Sequence, residues 1–382
     1  MFLFLSLALL GVLYAWAIGS FPWLGRHRPI VLAVVLLIWI PQPIAFWLVG
    51  HDHDSTGPRV IVELLMIPLA MAAVPIGLVL ALSWLAGRVA TKSWRRNAGD
   101  SPGGPMTRRQ VVEATTGVAL LGATGSMLGW GMVRGRHAFE LREVPVRIAA
   151  LPRVLDGYVI AQVSDIHAGM YVGERELNEG LDRVREARPD LLVVTGDIVD
   201  FDAACAPLVA RKLADVAPRD GVTAILGNHD YYADEEEVLA ALRAAGVGTL
   251  VDEGRVIRPH DRGGFALLGV DDRWSVRYGR AGPRLDRATA MVPTELARIL
   301  LSHQPPTVDR WAGQVALQLS GHTHGGQINP GFCPANTFLK YVAGSYAVRG
   351  TTLYVNRGFG TVATPSRVGA PPEITRFVLV AA

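Results

Sequence analysis

The chain has 382 residues, half of them hydrophobic, with a net charge of +3 and two cysteines. That length is more than one ordinary domain needs, and Cys205 and Cys333 cannot build a disulfide framework or a zinc ribbon. Residues 1–147 carry 13 Lys+Arg against 7 Asp+Glu and residues 148–382 carry 24 against 27, so the basic surplus lies in the apolar N-terminal part and no nucleic-acid-binding surface is implied.

Four apolar stretches come first, at residues 2–18, 31–49, 60–85 and 117–133. Each is close to the roughly 20 apolar residues that span a bilayer as a helix. Pro41, Pro43, Pro68 and Pro75 are tolerable there, because neighbouring helices satisfy freed carbonyls. Gly125 and Gly129 form a small-xxx-small pair that favours close helix packing. The loops carrying Arg26 and Arg28, and Arg88, Lys92, Arg95, Arg96, Arg108 and Arg109, are basic, whereas the loop at residues 51–59 balances Arg59 against Asp52 and Asp54. Basic loops face the cytoplasm. Four spans with an outside N-terminus therefore place everything after Val133 outside the cytoplasm, although Arg134, Arg136 and Arg142 follow the last span. The expected organisation is a multi-pass, all-α transmembrane region over residues 1–135, a linker over 136–154 and a second domain over 155–382.

From residue 157 the pattern changes to short apolar runs alternating with helical periodicity. Strands are predicted at 157–163, 191–195, 223–226, 265–270, 298–301, 315–319, 352–355 and 374–380, and helices at 174–187, 204–214 and 234–245. This alternation predicts an α/β fold with buried, largely parallel strands. Five of the runs end in polar residues of one chemical kind: Ser164-Asp165-Ile166-His167, Gly196-Asp197, Gly227-Asn228-His229-Asp230, Ser302-His303 and Gly321-His322-Thr323-His324. Ligands of open α/β sheets sit beyond the carboxyl ends of the strands, so these ends deliver Asp, His and Asn to one rim. Asp165, His167, Asp197, Asn228, His303, His322 and His324 form a mixed oxygen and nitrogen set suited to Mn²⁺, Fe or Zn²⁺. Seven ligands exceed one centre and fit two divalent cations sharing a carboxylate, an arrangement that clamps a phosphate and activates a water.

The ordered blocks Asp-x-His, Gly-Asp, Gly-Asn-His-Asp, His and Gly-His-x-His resemble those of the calcineurin-like metallophosphoesterases over roughly residues 155–380. The resemblance implies a four-layer αββα sandwich. It implies one metal on Asp165, His167, Asp197 and His324 and another on Asp197, Asn228, His303 and His322, with Asp197 bridging. It further implies that His229 is a catalytic histidine outside the metal shell, near the leaving group, and that Asp230 orients it. The segments from His322 to Gln327, Tyr354 to Gly358 and Pro371 to Ile374 are similar to those of membrane-associated bacterial phosphohydrolases, some resembling enzymes that cleave UDP-2,3-diacylglucosamine. That similarity implies a phosphate-ester or pyrophosphate substrate, lipid-linked ones included, with Arg357 and Arg367 as candidate phosphate contacts. The alternative is a non-catalytic metal-binding scaffold or interaction module on the same fold. Scaffolds tend to lose ligands or the donor histidine, and none is missing here.

Overall fold

A computed structural model describes residues 108–382 except residues 170, 261, 262 and 363. The chain divides into two units, Met1–Gly129 and Trp130–Ala382. The first three apolar stretches lie outside the described residues. The fourth falls within helix α1 (Arg108–Val133), but among the described residues no helix is long and apolar enough to cross a membrane. Its Gly, Thr and Ser content dilutes the apolar character that a span requires.

The second unit is a pair of sheets built from strands whose two faces are both covered, so their sequences read as unbroken apolar runs rather than alternations. In chain order the elements are β1 (Glu140–Ile148), β2 (Val159–Val163), α2 (Glu174–Glu186), β3 (Leu191–Thr195), α3 (Ala206–Ala214), β4 (Val222–Ile225), α4 (Asn228–Ala233), α5 (Glu235–Ala244), β5 (Gly248–Thr249), β6 (Glu253–His260), β7 (Gly263–Gly269), α6 (Leu285–Ala290), β8 (Arg298–Leu301), α7 (Val308–Trp311), β9 (Leu317–Ser320), β10 (Gly344–Val348), β11 (Thr351–Val355) and β12 (Glu373–Ala381). Every residue of β2, β3, β4 and β9 is buried.

The first sheet runs β1-β12-β2-β3-β4-β5 and the second β10-β11-β9-β8-β7-β6. Pairing is parallel except at β12–β2, β10–β11 and β6–β7. Ile160, Leu191 and Val193 of the first sheet meet Phe265, Leu267, Ile299 and Leu317 of the second in a central apolar layer. Leu177, Leu181 and Val184 of α2 recur at helical spacing and, with Val209 of α3 and Leu242 of α5, cover the outer face of the first sheet. Leu285 and Ala288 of α6 cover Ala266, Leu268 and Leu300 on the second. The result is the expected two-sheet sandwich with helices on both outer faces.

The expected linker is corrected here. Within residues 136–154, β1 pairs in parallel with β12 over its whole length, from Glu140 opposite Glu373 to Ile148 opposite Ala381. Its charged residues and Pro145 concealed it, because an edge strand needs only one apolar face and tolerates proline. β6 and β10 went unpredicted for the same reason: both are edges of the second sheet. β1 is also tied by charge. Arg357 Nη2 lies 2.6 Å from Glu140 and its Nε lies 2.5 Å from the fully buried Glu373, which also accepts from the Tyr354 hydroxyl at 2.6 Å.

Candidate metal centre

Both sheets contribute to one site. The loops after β2 and β3 supply Asp165 and His167, and Asp197, while the start of α4, directly after β4, supplies Asn228 and His229. The loops after β8 and β9 supply His303, and His322 and His324. Asp165, His167, Asp197, His322 and His324 all adopt left-handed backbone, with φ between 48° and 73°. Such conformations cost of order 1 kcal/mol or more at each non-glycine residue and persist where the surrounding structure over-determines them. Two glycines make the crowding tolerable. A Cβ on Gly227 would strike the Asp197 carboxylate, and one on Gly321 would strike Ser164 and the Asp165 carboxylate.

The ligand atoms converge. Asp197 Oδ1 accepts the His229 backbone N–H at 2.8 Å. Its Oδ2 lies 3.2 Å from His303 Nε2 and 3.5 Å from His167 Nε2. His303 Nδ1 donates to the Thr195 carbonyl at 2.8 Å, aiming Nε2 inward, where Asn228 Oδ1 lies at 3.2 Å and His322 Nδ1 at 3.1 Å. His324 Nε2 lies 3.1 Å from His167 Nε2 and 3.7 Å from Asp165 Oδ1. Asn228 Nδ2 donates to the Tyr232 hydroxyl at 3.3 Å, leaving its carbonyl oxygen toward the site. Among the described residues, three Asp/His groups have ligand atoms within 4.8 Å of one another: Asp165, His167 and His324; His167, Asp197 and His229; and Asp197, His303 and His322. Opposed imidazole nitrogens about 3 Å apart and two buried carboxylates fit cations, because a lone pair facing a lone pair is repulsive unless something positive lies between them. Mixed O and N donors without thiolate suit Mn²⁺, Fe or Zn²⁺.

The electrostatics agree. Burial, reinforced by the His303 charge, pushes His322 down to about 3, and burial together with the neighbouring His167 and Arg367 charges lowers His324 well below the histidine range. Both imidazoles are thus neutral, the form that ligates. Burial raises Asp165. Burial opposes ionisation of Asp197, but His303 and His229 outweigh it and hold that carboxyl far below its usual range. The anion in turn raises the His303 pKa well above the usual range, against its own burial, so a cation taken up at Nε2 has to displace that proton.

Asp230 is not the partner of His229. It occupies the third position of α4, so its side chain turns back over the helix start. It accepts the backbone N–H groups of Gly227 at 2.8 Å, Ile198 at 2.8 Å and Val199 at 3.1 Å, pinning the β3 loop to the β4 loop. The partner is Asp200. His229 Nδ1 lies 2.8 Å from Asp200 Oδ1 and 3.2 Å from the Asp200 carbonyl, the latter being the aligned hydrogen bond. The same carboxylate oxygen lies 3.3 Å from His167 Nδ1, so Asp200 backs two histidines at once. Burial opposes its ionisation, yet the two histidines hold its pKa at about 2. Burial likewise opposes the His229 charge, but Asp197 and Asp200 raise its pKa to about 8. The only sequence signal for Asp200 was a second Asp three residues after Asp197.

The two candidate phosphate-contact arginines are also corrected. Arg357 is spent on Glu140 and Glu373. Arg367 is 1% exposed, and its guanidinium donates to the carbonyls of Gly360, Arg357 and Ala370. Its Nη2 also faces His324 Nδ1 at 3.2 Å, on the far side of the ring from the ligand atoms. Burial dominates and lowers the Arg367 pKa to about 9. Arg367 braces the site from behind.

Residues 158–326 match the family model described as calcineurin-like phosphoesterase. A transmembrane protein with metallophosphoesterase domain from Danio rerio is 33% identical over 67% of this chain and 61% of its own length. The metallophosphoesterase YkuE of Bacillus subtilis is 35% identical over 72% of this chain and 98% of its own. The phosphodiesterase YaeI of Escherichia coli is 28% identical over 72% and 100% respectively.

Asp197 belongs to two of the three Asp/His groups, whereas His229 belongs to one. Asp197→Ala is expected to strip metal from the purified protein, and His229→Ala to retain the full wild-type content, both read by elemental analysis after Mn²⁺ loading and gel filtration. Loss of metal from His229→Ala would make that histidine a ligand.

Proposed function

We propose, from the premise that this chain belongs to the calcineurin-like phosphoesterase family, that it is a metal-dependent hydrolase of phosphate esters or pyrophosphates. The observation that carries this reading is the convergence of Asp165, His167, Asp197, Asn228, His303, His322 and His324 from two separate sheets onto one buried cluster. Such a set suits two divalent cations, one on Asp165, His167, Asp197 and His324, the other on Asp197, Asn228, His303 and His322. When bound, the cations supply positive charge to the phosphoryl oxygens and acidity to a water.

The chain's own residues supply the rest. His229 Nδ1 is engaged by Asp200, so in the imidazolium the second proton sits at Nε2 and is available to the departing oxygen. The raised pKa of His229, about 8, favours that charged form at neutral pH. Asp197 holds the His229 backbone through one oxygen, while its other oxygen, facing His303, would be free to hold a cation. Hydrolysis of an activated aryl ester is expected to vanish on chelation and return with Mn²⁺; undiminished turnover by metal-free protein would overturn the reading.

The role of His229 can be tested through its partner. His229→Ala is expected to lose about 10²–10⁴-fold on an alkyl ester and far less on a p-nitrophenyl ester, whose leaving group needs little protonation. Asp200→Asn removes an anion that raises the His229 pKa. The protonated form then disappears at a lower pH, and the alkaline limb of kcat/KM on the alkyl ester should move down. An unmoved limb would exclude His229 as the acid.

We further propose that the enzyme is held at a membrane and acts on a lipid-linked or envelope metabolite. The apolar stretches at 2–18, 31–49 and 60–85 support this, as does the zebrafish relative described as a transmembrane protein. Exposed apolar side chains also support it. Phe332 and Phe338 are 67% and 85% exposed on a loop that Asn329 Nδ2 ties to the Gly325 carbonyl at 2.9 Å, beside His324. Trp130, Met132 and Val133 are exposed nearby, where the Arg367 N–H donates to the Gly131 carbonyl and the Asn329 N–H to the Val368 carbonyl. Large exposed apolar side chains gathered near a site mark an interaction surface. The basic loops favour an extracytoplasmic catalytic domain, so a reporter active only outside the cytoplasm, fused after Ala382, should be active. Activity of only a cytoplasm-dependent reporter would reverse the orientation.

A further inference from the structure

A row of aromatic rings leads outward from His229. The Phe201 and Tyr232 rings lie 5.0 Å and 4.9 Å from the His229 imidazole. They lie 5.9 Å from each other, with planes only 12° apart. Trp274 continues the row 5.6 Å beyond Tyr232, turned edge-on at 78°. The Arg277 guanidinium covers the Trp274 ring at 3.6 Å. Phe201 comes from the loop after β3, Tyr232 from α4 and Trp274 from the short turn Arg273–Tyr278. All three rings are partly exposed, and none belongs to the buried core.

The row is held in place. The Trp274 backbone N–H donates to Asp272 Oδ1 at 2.7 Å, and Gln304, the neighbour of His303, donates to both Asp272 oxygens at 3.0 Å and 3.1 Å. The Tyr231 hydroxyl donates to Asp271 at 2.5 Å, clamping α4 to the same segment. Placement of these rings is therefore coupled to residues of the metal centre, and little ordering remains to be done when a ligand arrives.

Resting on the phosphoesterase reading above, we infer that this row binds the leaving group, and that it selects a leaving alcohol bearing a planar aromatic ring, of nucleobase size, over one bearing an alkyl chain. The row starts at the residue assigned to protonate the leaving oxygen, so what departs lies along it. Ring faces stack on any planar π system. Arg277 adds a cation laid over Trp274, with the Tyr278 hydroxyl also within reach of its charge. A guanidinium favours π faces and anionic substituents, whereas an alkyl chain laid across it gains nothing and costs its hydration.

The test uses the full-length Mn²⁺-loaded protein in detergent with 3-phenylpropyl, n-propyl and n-hexyl phosphate, whose leaving alcohols are insulated from the ring and of similar acidity. The phenylpropyl ester should exceed both others in kcat/KM by roughly ten- to hundredfold, the usual worth of one stacked ring. Trp274→Ala should bring that ratio close to one through KM, and Trp274→Phe should restore it. Calorimetry with the corresponding phosphonates, which cannot turn over, should show the same order of affinity. Equal kcat/KM for the phenylpropyl and hexyl esters, equal phosphonate affinities, or a ratio unmoved by Trp274→Ala would overturn the inference. Ring preference in the phosphonates with no hydrolysis of any ester would uphold the aromatic row and overturn the phosphoesterase reading instead.

Discussion

The Asp197 carboxylate is the constraint on which the site depends. One oxygen fixes the backbone of His229 at the end of the first sheet's β4, and the other faces His303 from the second sheet and His167 from β2. Burying an anion so deeply is expensive unless it is paired and hydrogen-bonded. The surrounding imidazoles and the cations they can hold meet that need. A site divided between two sheets can be assembled only when the sandwich is complete, so the central layer of Ile160, Leu191, Phe265 and Leu317 is a condition for the chemistry as well as for stability.

The loops that carry the ligands are strained, and the strain is distributed. Five ligands in left-handed backbone cannot be stabilised by their own conformational preferences. They are held by the Asp230 carboxylate across three backbone donors, by Gly227 and Gly321 where chains nearly touch, and by Arg367 behind His324. The buried Arg367 satisfies carbonyls that the irregular backbone around the site leaves without a secondary-structure partner, and the buried Glu373 accepts from the side chains of Tyr354, Asn356, Arg357 and Thr375.

Two surfaces of different chemistry border the cluster. One is aromatic with a guanidinium, built from Phe201, Tyr232, Trp274 and Arg277. The other carries exposed Phe332, Phe338, Trp130 and Val133. The aromatic row is locked by hydrogen bonds to residues beside the metal ligands, which suits discrimination. The second surface is held at its base by Asn329 and is exposed beyond it, which suits contact with a phase that has no fixed shape.

The convergence of these seven side chains was legible in the sequence because each follows an apolar run, and a strand end has one place to put its side chains. The helices α2, α3 and α5 were legible from their helical periodicity, and the buried strands from their unbroken apolar runs. The edge strands β1, β6 and β10 were not, since one-sided burial leaves charges and proline where a linker would also have them. By itself, then, the sequence determined which Asp, His and Asn side chains gather at the strand ends and the order in which the fold presents them. Tertiary structure decided the partners. Asp230 adjoins His229 in the chain but turns back onto the backbone of the helix start, while Asp200, 29 residues earlier, reaches its ring. Arg357 and Arg367 have the charge for phosphate but are consumed by buried groups. A carboxylate or guanidinium pairs with whatever the packing brings within about 3 Å, and that distance is a property of the folded chain rather than of its order.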